Sequence, residues 1–128
     1  MWTLDKIVRF ANMRKVAHLP YEVSVILYIT PEKVLALRSF NKIGTLEEVE
    51  LPSVGEVMKG CRENKTNQVI LVHNHPPIDG KYDTTPSEKD LIATKQFEND
   101  LKQAGIVLLD HIILAHDNYF SFRANGLM

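Results

Sequence analysis

The stretch Gln68–Pro77, QVILVHNHPP, carries a short apolar run, Val69–Val72, straight into His73-Asn74-His75-Pro76-Pro77. A brief continuous apolar run that ends in polar residues and prolines reads as a buried strand running into a loop. Residues two apart on an extended chain point to the same side. His73 and His75 can therefore aim both imidazoles at one point, as zinc requires of paired nitrogen ligands. A strand end beside a loop gives metal and substrate access, and open α/β sheets tend to build their sites there.

Working outward, residues 76–86 hold three prolines, a glycine and two aspartates, which makes them a loop. A helix is expected from about Ser87 to Ala104, stopping at Gly105, a natural left-handed C-terminal residue. Asp90 falls in the first turn of that helix, where a carboxylate can turn back over the strand end. It is the candidate third ligand, and a catalytic zinc usually takes three protein ligands and leaves a fourth position for water. Ser87, three residues earlier, makes the pair resemble a capping box, although Asp is shorter than the Glu or Gln that motif prefers. Taken singly, a His-x-His pair is more often two surface or core histidines, and Ser-x-x-Asp more often a helix start. A strand-end His-x-His, an irregular loop and then a Ser-x-x-Asp helix start form a much rarer combination.

The rest of the chain supplies a frame for this segment. Leu4, Ile7, Val8 and Ala11 have helical spacing, so Thr3 to about Arg14 reads as an amphipathic helix. Glu22–Thr30 reads as a buried strand and Lys33–Phe40 as a second, with a short third strand over Glu47–Leu51 after a turn at Gly44. Pro52-Ser53 opens a helix with Val54, Val57, Met58 and Cys61 on one face. Cys61 there reads as packing. Ile106–Leu114 and Tyr119–Arg123 read as the last two strands, joined by a hairpin at His116-Asp117-Asn118. The interleaving predicts an α/β class with a mixed sheet between helical layers.

The chain has 128 residues, enough for one domain, 1–128, with a real core. With a formal net charge of −1 and scattered basic residues, sequence-independent binding to DNA or RNA is not supported. One cysteine excludes an intrachain disulfide. No apolar stretch is long enough to cross a bilayer, and Met1–Ile7 lacks the layout of a signal peptide. The expectation is a soluble cytoplasmic domain.

Taken together, His73–Asp90 resembles the His-x-His … Ser-x-x-Asp signature of JAMM/MPN metalloproteins. More closely it is similar to the bacterial RadC-like branch, marked by His-Asn-His-Pro and then Pro-Ser-x-x-Asp. Gly44-Thr45-Leu46, Thr94, Leu109-Asp110-His111-Ile112-Ile113, Tyr119 and Ser121 agree, so the resemblance covers about residues 20–126. It implies the JAB/MPN three-layer fold, related to that of cytidine deaminases, with Zn2+ bound by His73, His75 and Asp90. It also implies Glu22 as general base on the water and Ser87 as a donor steadying the oxyanion. The implied activity is a metallopeptidase or isopeptidase acting on a protein or peptide, commonly one carrying a ubiquitin-like modifier. The family name's link with DNA repair is a label and no chemical inference.

The sequence departs from the family pattern in three places. The 76–86 loop is longer than usual, Pro77-Ile78 stands where Ser-Gly is usual, and the helix-hairpin-helix region of longer RadC proteins is expected to be missing. The main rival reading is an MPN-like interaction scaffold, with or without structural zinc. A deaminase would need His-x-Glu with Pro-Cys-x-x-Cys, which one cysteine cannot supply. A two-His-one-carboxylate iron site shares the ligand count. Asp110 and His111 read equally as a pair supporting a ligand or as core residues, and His18 and His116 read as surface residues.

Overall fold

A computed structural model of the chain describes residues 3–9, 13–40 and 51–128. Its centre is a five-stranded mixed sheet of β1 (Ser24–Ile29), β2 (Val34–Phe40), β3 (Gln68–Asn74), β4 (Val107–Ala115) and β5 (Asn118–Ser121), in the order β2-β1-β3-β4-β5. β3 and β4 pair in parallel and every other neighbour is antiparallel. A parallel pair needs a crossover, and α4 (Glu88–Gln103) supplies it.

The helices fall on both faces, so the strands beneath them must be apolar on both sides. Every residue of β1 is buried, as are all but the first of β3. On one face Val25, Leu27, Ile70, Val72, Ile112 and Leu114 pack with Ile7 of α1 (Leu4–Arg9) and with Val16 and Ala17 of α2 (Met13–Ala17). On the other, Ile26, Tyr28, Val69, Leu71 and Leu108 pack with Val57 and Cys61 of α3 (Val54–Glu63) and with Phe97 and Leu101 of α4. The three-layer α/β arrangement expected from the sequence is the one observed, and Cys61 is a core residue.

β4 contains an irregularity that matters for the site. Val69 pairs with Leu108 but Ile70 pairs with Asp110, so Leu109 is an extra residue on that strand. Such a bulge reverses the alternation of side chains beyond it. Leu108 accordingly belongs to the α3/α4 face while Ile112 and Leu114 belong to the opposite one. His111 is thereby turned toward α4.

Several sequence-based boundaries need correction. The single helix expected over Thr3–Arg14 is recorded as two, the second reaching Ala17, with residues 10–12 outside the described set. The strand expected from Glu22 begins at Ser24, leaving Glu22 in the irregular segment before it. The third strand expected at Glu47–Leu51, and the Gly44 turn before it, lie outside the described residues except for Leu51, which is not in a strand. The last strand ends at Ser121 and not at Arg123. The Ser121 hydroxyl accepts from the Ala124 amide at 3.0 Å, and the Asp110 carboxylate accepts from the Arg123 amide at 3.1 Å, which turns the chain out of the sheet.

Candidate metal centre

The C-terminal end of β3 delivers His73 and His75, and the start of α4 delivers Asp90. The two Nε2 atoms stand 3.0 Å apart. Asp90 Oδ2 lies 3.4 Å from His75 Nε2, and Asp90 Oδ1 lies 4.0 Å from His73 Nε2. In a tetrahedral zinc site with bonds of about 2.0–2.1 Å the ligand atoms are about 3.3 Å apart. The donor atoms converge closely enough to hold one small cation, and the 3.0 Å approach of the two imidazoles is also that of a hydrogen bond.

Local sequence explains each placement. Period-two alternation puts both histidines on one side of the strand, and Asn74, between them, faces the other way. Asp90 is held by its own helix start: Ser87 Oγ accepts from the Asp90 amide at 3.0 Å, and the Ser87 amide donates to Asp90 Oδ2 at 2.9 Å. That is a full capping box, built with Asp in place of Glu or Gln. The cap and the candidate ligand are thus the same carboxylate, and Ser87, used as an acceptor, still has its own O–H to donate.

Electrostatics favour the ligand state of His73 and Asp90, while metal-free His75 is biased toward its protonated form, whose Nε2 proton a bound cation would displace. Burial, reinforced by His75 and opposed by Asp90, lowers the pKa of His73 to about 3, so its ring is neutral. Burial works against the charged form of His75 too, but Asp90 and the Asp83 carbonyl outweigh it and raise its pKa. Burial would raise the pKa of Asp90, yet hydrogen bonding to His75 and to the Ser87 amide carries it far below the usual carboxylate range. His75 Nδ1 bonds the Asp83 carbonyl oxygen at 3.0 Å, which assigns the proton to Nδ1 and frees Nε2. The long loop therefore anchors one of the histidines directly.

Glu22 reaches the same place from the opposite direction in the chain. It lines an open cleft of about 810 Å³ together with His75, Ser87, Asp90 and the 76–85 loop. Its Oε2 is buried without a hydrogen-bond partner, one of two such side-chain atoms among the described residues. Burial raises its pKa, with His75 pulling the other way. Asn74 is the residue that holds it there. Asn74 Oδ1 accepts from the Val23 amide at 2.7 Å, and its Nδ2 donates to the carbonyls of Tyr21 at 2.9 Å and Leu19 at 3.4 Å.

Behind His73 lies a second buried ring. His73 Nδ1 meets His111 Nε2, and His111 Nδ1 meets Thr94 Oγ1 at 2.7 Å. Asp110 is separate from this chain: Oδ1 accepts from the His111 amide at 2.7 Å, and Oδ2 accepts from the Ser121 hydroxyl at 2.6 Å. The Asp-His dipeptide is thus divided between a ligand neighbour and a fastener of the C-terminal turn. Asn74 and Thr94 were not among the site residues expected from the sequence, and His111 reads there equally as support for a ligand or as a core residue. Thr94 had a usable signal, four residues after Asp90 on the same helical face.

A second group, His18, His116 and Asp117, also brings potential ligand atoms within 4.8 Å of one another. His18 and Asp117 are exposed, and a 3.0 Å contact between His116 and Asp117 with an edge-on ring contact between His18 and His116 accounts for their approach without a metal.

The fold and the buried His-His-Asp set together define a three-layer α/β domain with a candidate metal centre at the end of its central strands. Comparison with known families matches residues 3–127 to the RadC-like JAB domain. The chain belongs to that family. Similar proteins include a UPF0758 protein of Rhodobacter capsulatus, 34% identical over 88% of this chain and 50% of the relative. A UPF0758 protein of Staphylococcus carnosus is 32% identical over 89% and 48%, and one of Chlorobium phaeovibrioides 39% over 73% and 43%. The chain spans about half the length of the curated relatives it matches. No helix among the described residues is long and apolar enough to cross a membrane.

Proposed function

We propose that the protein is a zinc-dependent hydrolase of the JAMM type that cleaves a peptide or isopeptide bond. The observation that carries this reading is the unpartnered, buried Glu22 carboxylate oxygen on the wall of the cleft lined by His75 and Asp90, which group with the buried His73. A folded protein leaves such an atom unsatisfied at a cost, and a site that processes a water molecule gives it a use.

Two neutral imidazole nitrogens and a carboxylate are the donor set of a catalytic zinc with an open fourth position. When bound, zinc supplies Lewis acidity and lowers the pKa of a coordinated water to about 7. Glu22 takes a proton from the attacking water and returns it to the nitrogen of the leaving amine, so the C–N bond breaks to give a carboxylic acid and an amine. A carboxylate whose pKa is raised by burial is a stronger base than an ordinary one, which suits that exchange. The Ser87 hydroxyl, whose lone pair serves the helix cap, donates to the carbonyl oxygen as negative charge develops. The open cleft suits an extended chain, hence a protein or peptide substrate, including one joined to a ubiquitin-like modifier.

The test has two arms. Elemental analysis should find near one zinc per wild-type chain and far less in Asp90→Ala, with His18→Ala as a control against zinc taken up at the surface cluster. Glu22→Gln should keep zinc and fold but lose at least about a hundredfold in turnover of an isopeptide substrate. A wild type that takes up no zinc when it is supplied would point instead to an interaction scaffold. Unchanged turnover in Glu22→Gln would remove the assigned base.

A further inference from the structure

We propose that His111 is a positioning residue for the metal centre: it accepts the Nδ1 proton of His73 and so presents the Nε2 lone pair of His73 to the cation. The inference rests on the metal-site reading of His73, His75 and Asp90 and goes one step behind it.

The geometry is a closed line of three side chains. Thr94 Oγ1 stands 2.7 Å from His111 Nδ1, His111 Nε2 meets His73 Nδ1, and His73 Nε2 faces His75 Nε2 at 3.0 Å. One proton occupies each link, so the line has two polarities. In one, Thr94 donates to His111 and His111 donates to His73. His73 then carries its remaining proton on Nε2, where it blocks the metal. In the other, His73 donates from Nδ1 to His111, His111 donates from Nδ1 to Thr94, and His73 Nε2 is bare. Only the second can ligate, and metal ligation by histidine generally depends on such a partner at the other ring nitrogen.

The surroundings hold the His111 ring in the plane this requires. His73 and His111 are 0% and 1% exposed, so no water competes for the link. Phe122 stacks on His111 with centroids 4.3 Å apart and planes 14° apart, and its amide donates to the His111 carbonyl at 3.0 Å. The bulge at Leu109 turns His111 to the α4 side of the sheet. Thr94 lies one helical turn beyond Asp90, so α4 supplies a candidate ligand and the end of the line from a single face. A histidine kept only for packing would need neither the matched acceptor on Thr94 nor the approach to a ligand nitrogen.

Zinc affinity measured by chelator competition tests the proposal in wild type, His111→Leu, His111→Gln and Thr94→Val. His111→Leu should bind about 10–100-fold more weakly, the range seen when the partner of a ligating histidine is lost. His111→Gln, which can still offer an oxygen to His73 Nδ1, should recover most of that affinity. Thr94→Val keeps its shape and should show a smaller loss in the same direction. In the zinc-loaded wild type, 15N chemical shifts should place the His73 and His111 protons on Nδ1. Wild-type affinity in both His111→Leu and Thr94→Val, an equal loss in the Leu and Gln variants, or a His73 proton found on Nε2 overturns it. Should His111→Leu fail to fold, Thr94→Val and the wild-type proton positions decide. A wild type that binds no zinc defeats the metal-site reading itself, and that outcome is distinct from zinc binding that is indifferent to His111.

Discussion

At Glu22 a carboxylate is drawn into the protein by its backbone neighbours, not by a partner of its own. Burial raises its pKa, His75 opposes the rise and Asp90 adds to it. The folded chain therefore holds this proton more tightly than the unfolded chain. Between the two pKa values folding takes up protons, so stability falls as pH rises through that window. Glu22→Gln should accordingly raise the Tm of the metal-free protein at pH 7, by a few degrees at most because the residue is only partly buried. The gain should vanish below about pH 4, where both states are protonated. Thermal scans at the two pH values check it, and a Tm lowered at pH 7 would contradict the burial argument. Asp90 has the opposite sign. Its depressed pKa contributes stability above the ordinary carboxylate range, and that contribution is lost as pH falls toward the folded value.

Between elements, α3 meets β1 at one close approach. A Cβ on Gly60 would overlap the ring and hydroxyl of Tyr28, whose side chain is fully buried. Overpacking of this kind usually costs about 1–3 kcal/mol, so Gly60→Ala should lower stability by that order in denaturant titration. The Tyr28 hydroxyl has no hydrogen-bond partner among the described residues. Tyr28→Phe should therefore be neutral or stabilising, since it removes a buried polar atom and no bond. A clear loss in that variant would mean that the hydroxyl has a partner after all. At the start of α4, Ser87→Ala removes a cap worth about 1 kcal/mol and loosens Asp90 at the same time.

For the whole molecule, the candidate centre joins the segment before β1, the end of β3 and the start of α4. A cation bound there binds the folded state and not the dispersed chain. Zinc at about a hundred times its Kd adds about 2.7 kcal/mol, which for a chain of this size raises Tm by about 10 °C. That rise should appear in differential scanning with zinc, reverse with a chelator, and be absent in Asp90→Ala. An equal rise in Asp90→Ala that disappears in His18→Ala would assign the effect to the surface cluster.

The parts of the site legible in the sequence are those set by near neighbours. The two-residue period of a strand puts His73 and His75 on one side, and the three-residue reach of a helix start brings Ser87 to Asp90. The apolar runs of β1 and β3 likewise declare strands buried on both faces. What the tertiary structure decided is how those pieces face one another. Glu22 is held by Asn74, whose bond to Val23 spans 51 residues, and no local pattern announces it. His111 faces His73 only because β4 carries an extra residue at Leu109, which reverses an alternation that the sequence alone would continue. Local periodicity is written in residues a few positions apart. Register and packing depend on contacts between distant segments, and their separation along the chain says nothing of which side chain will meet which.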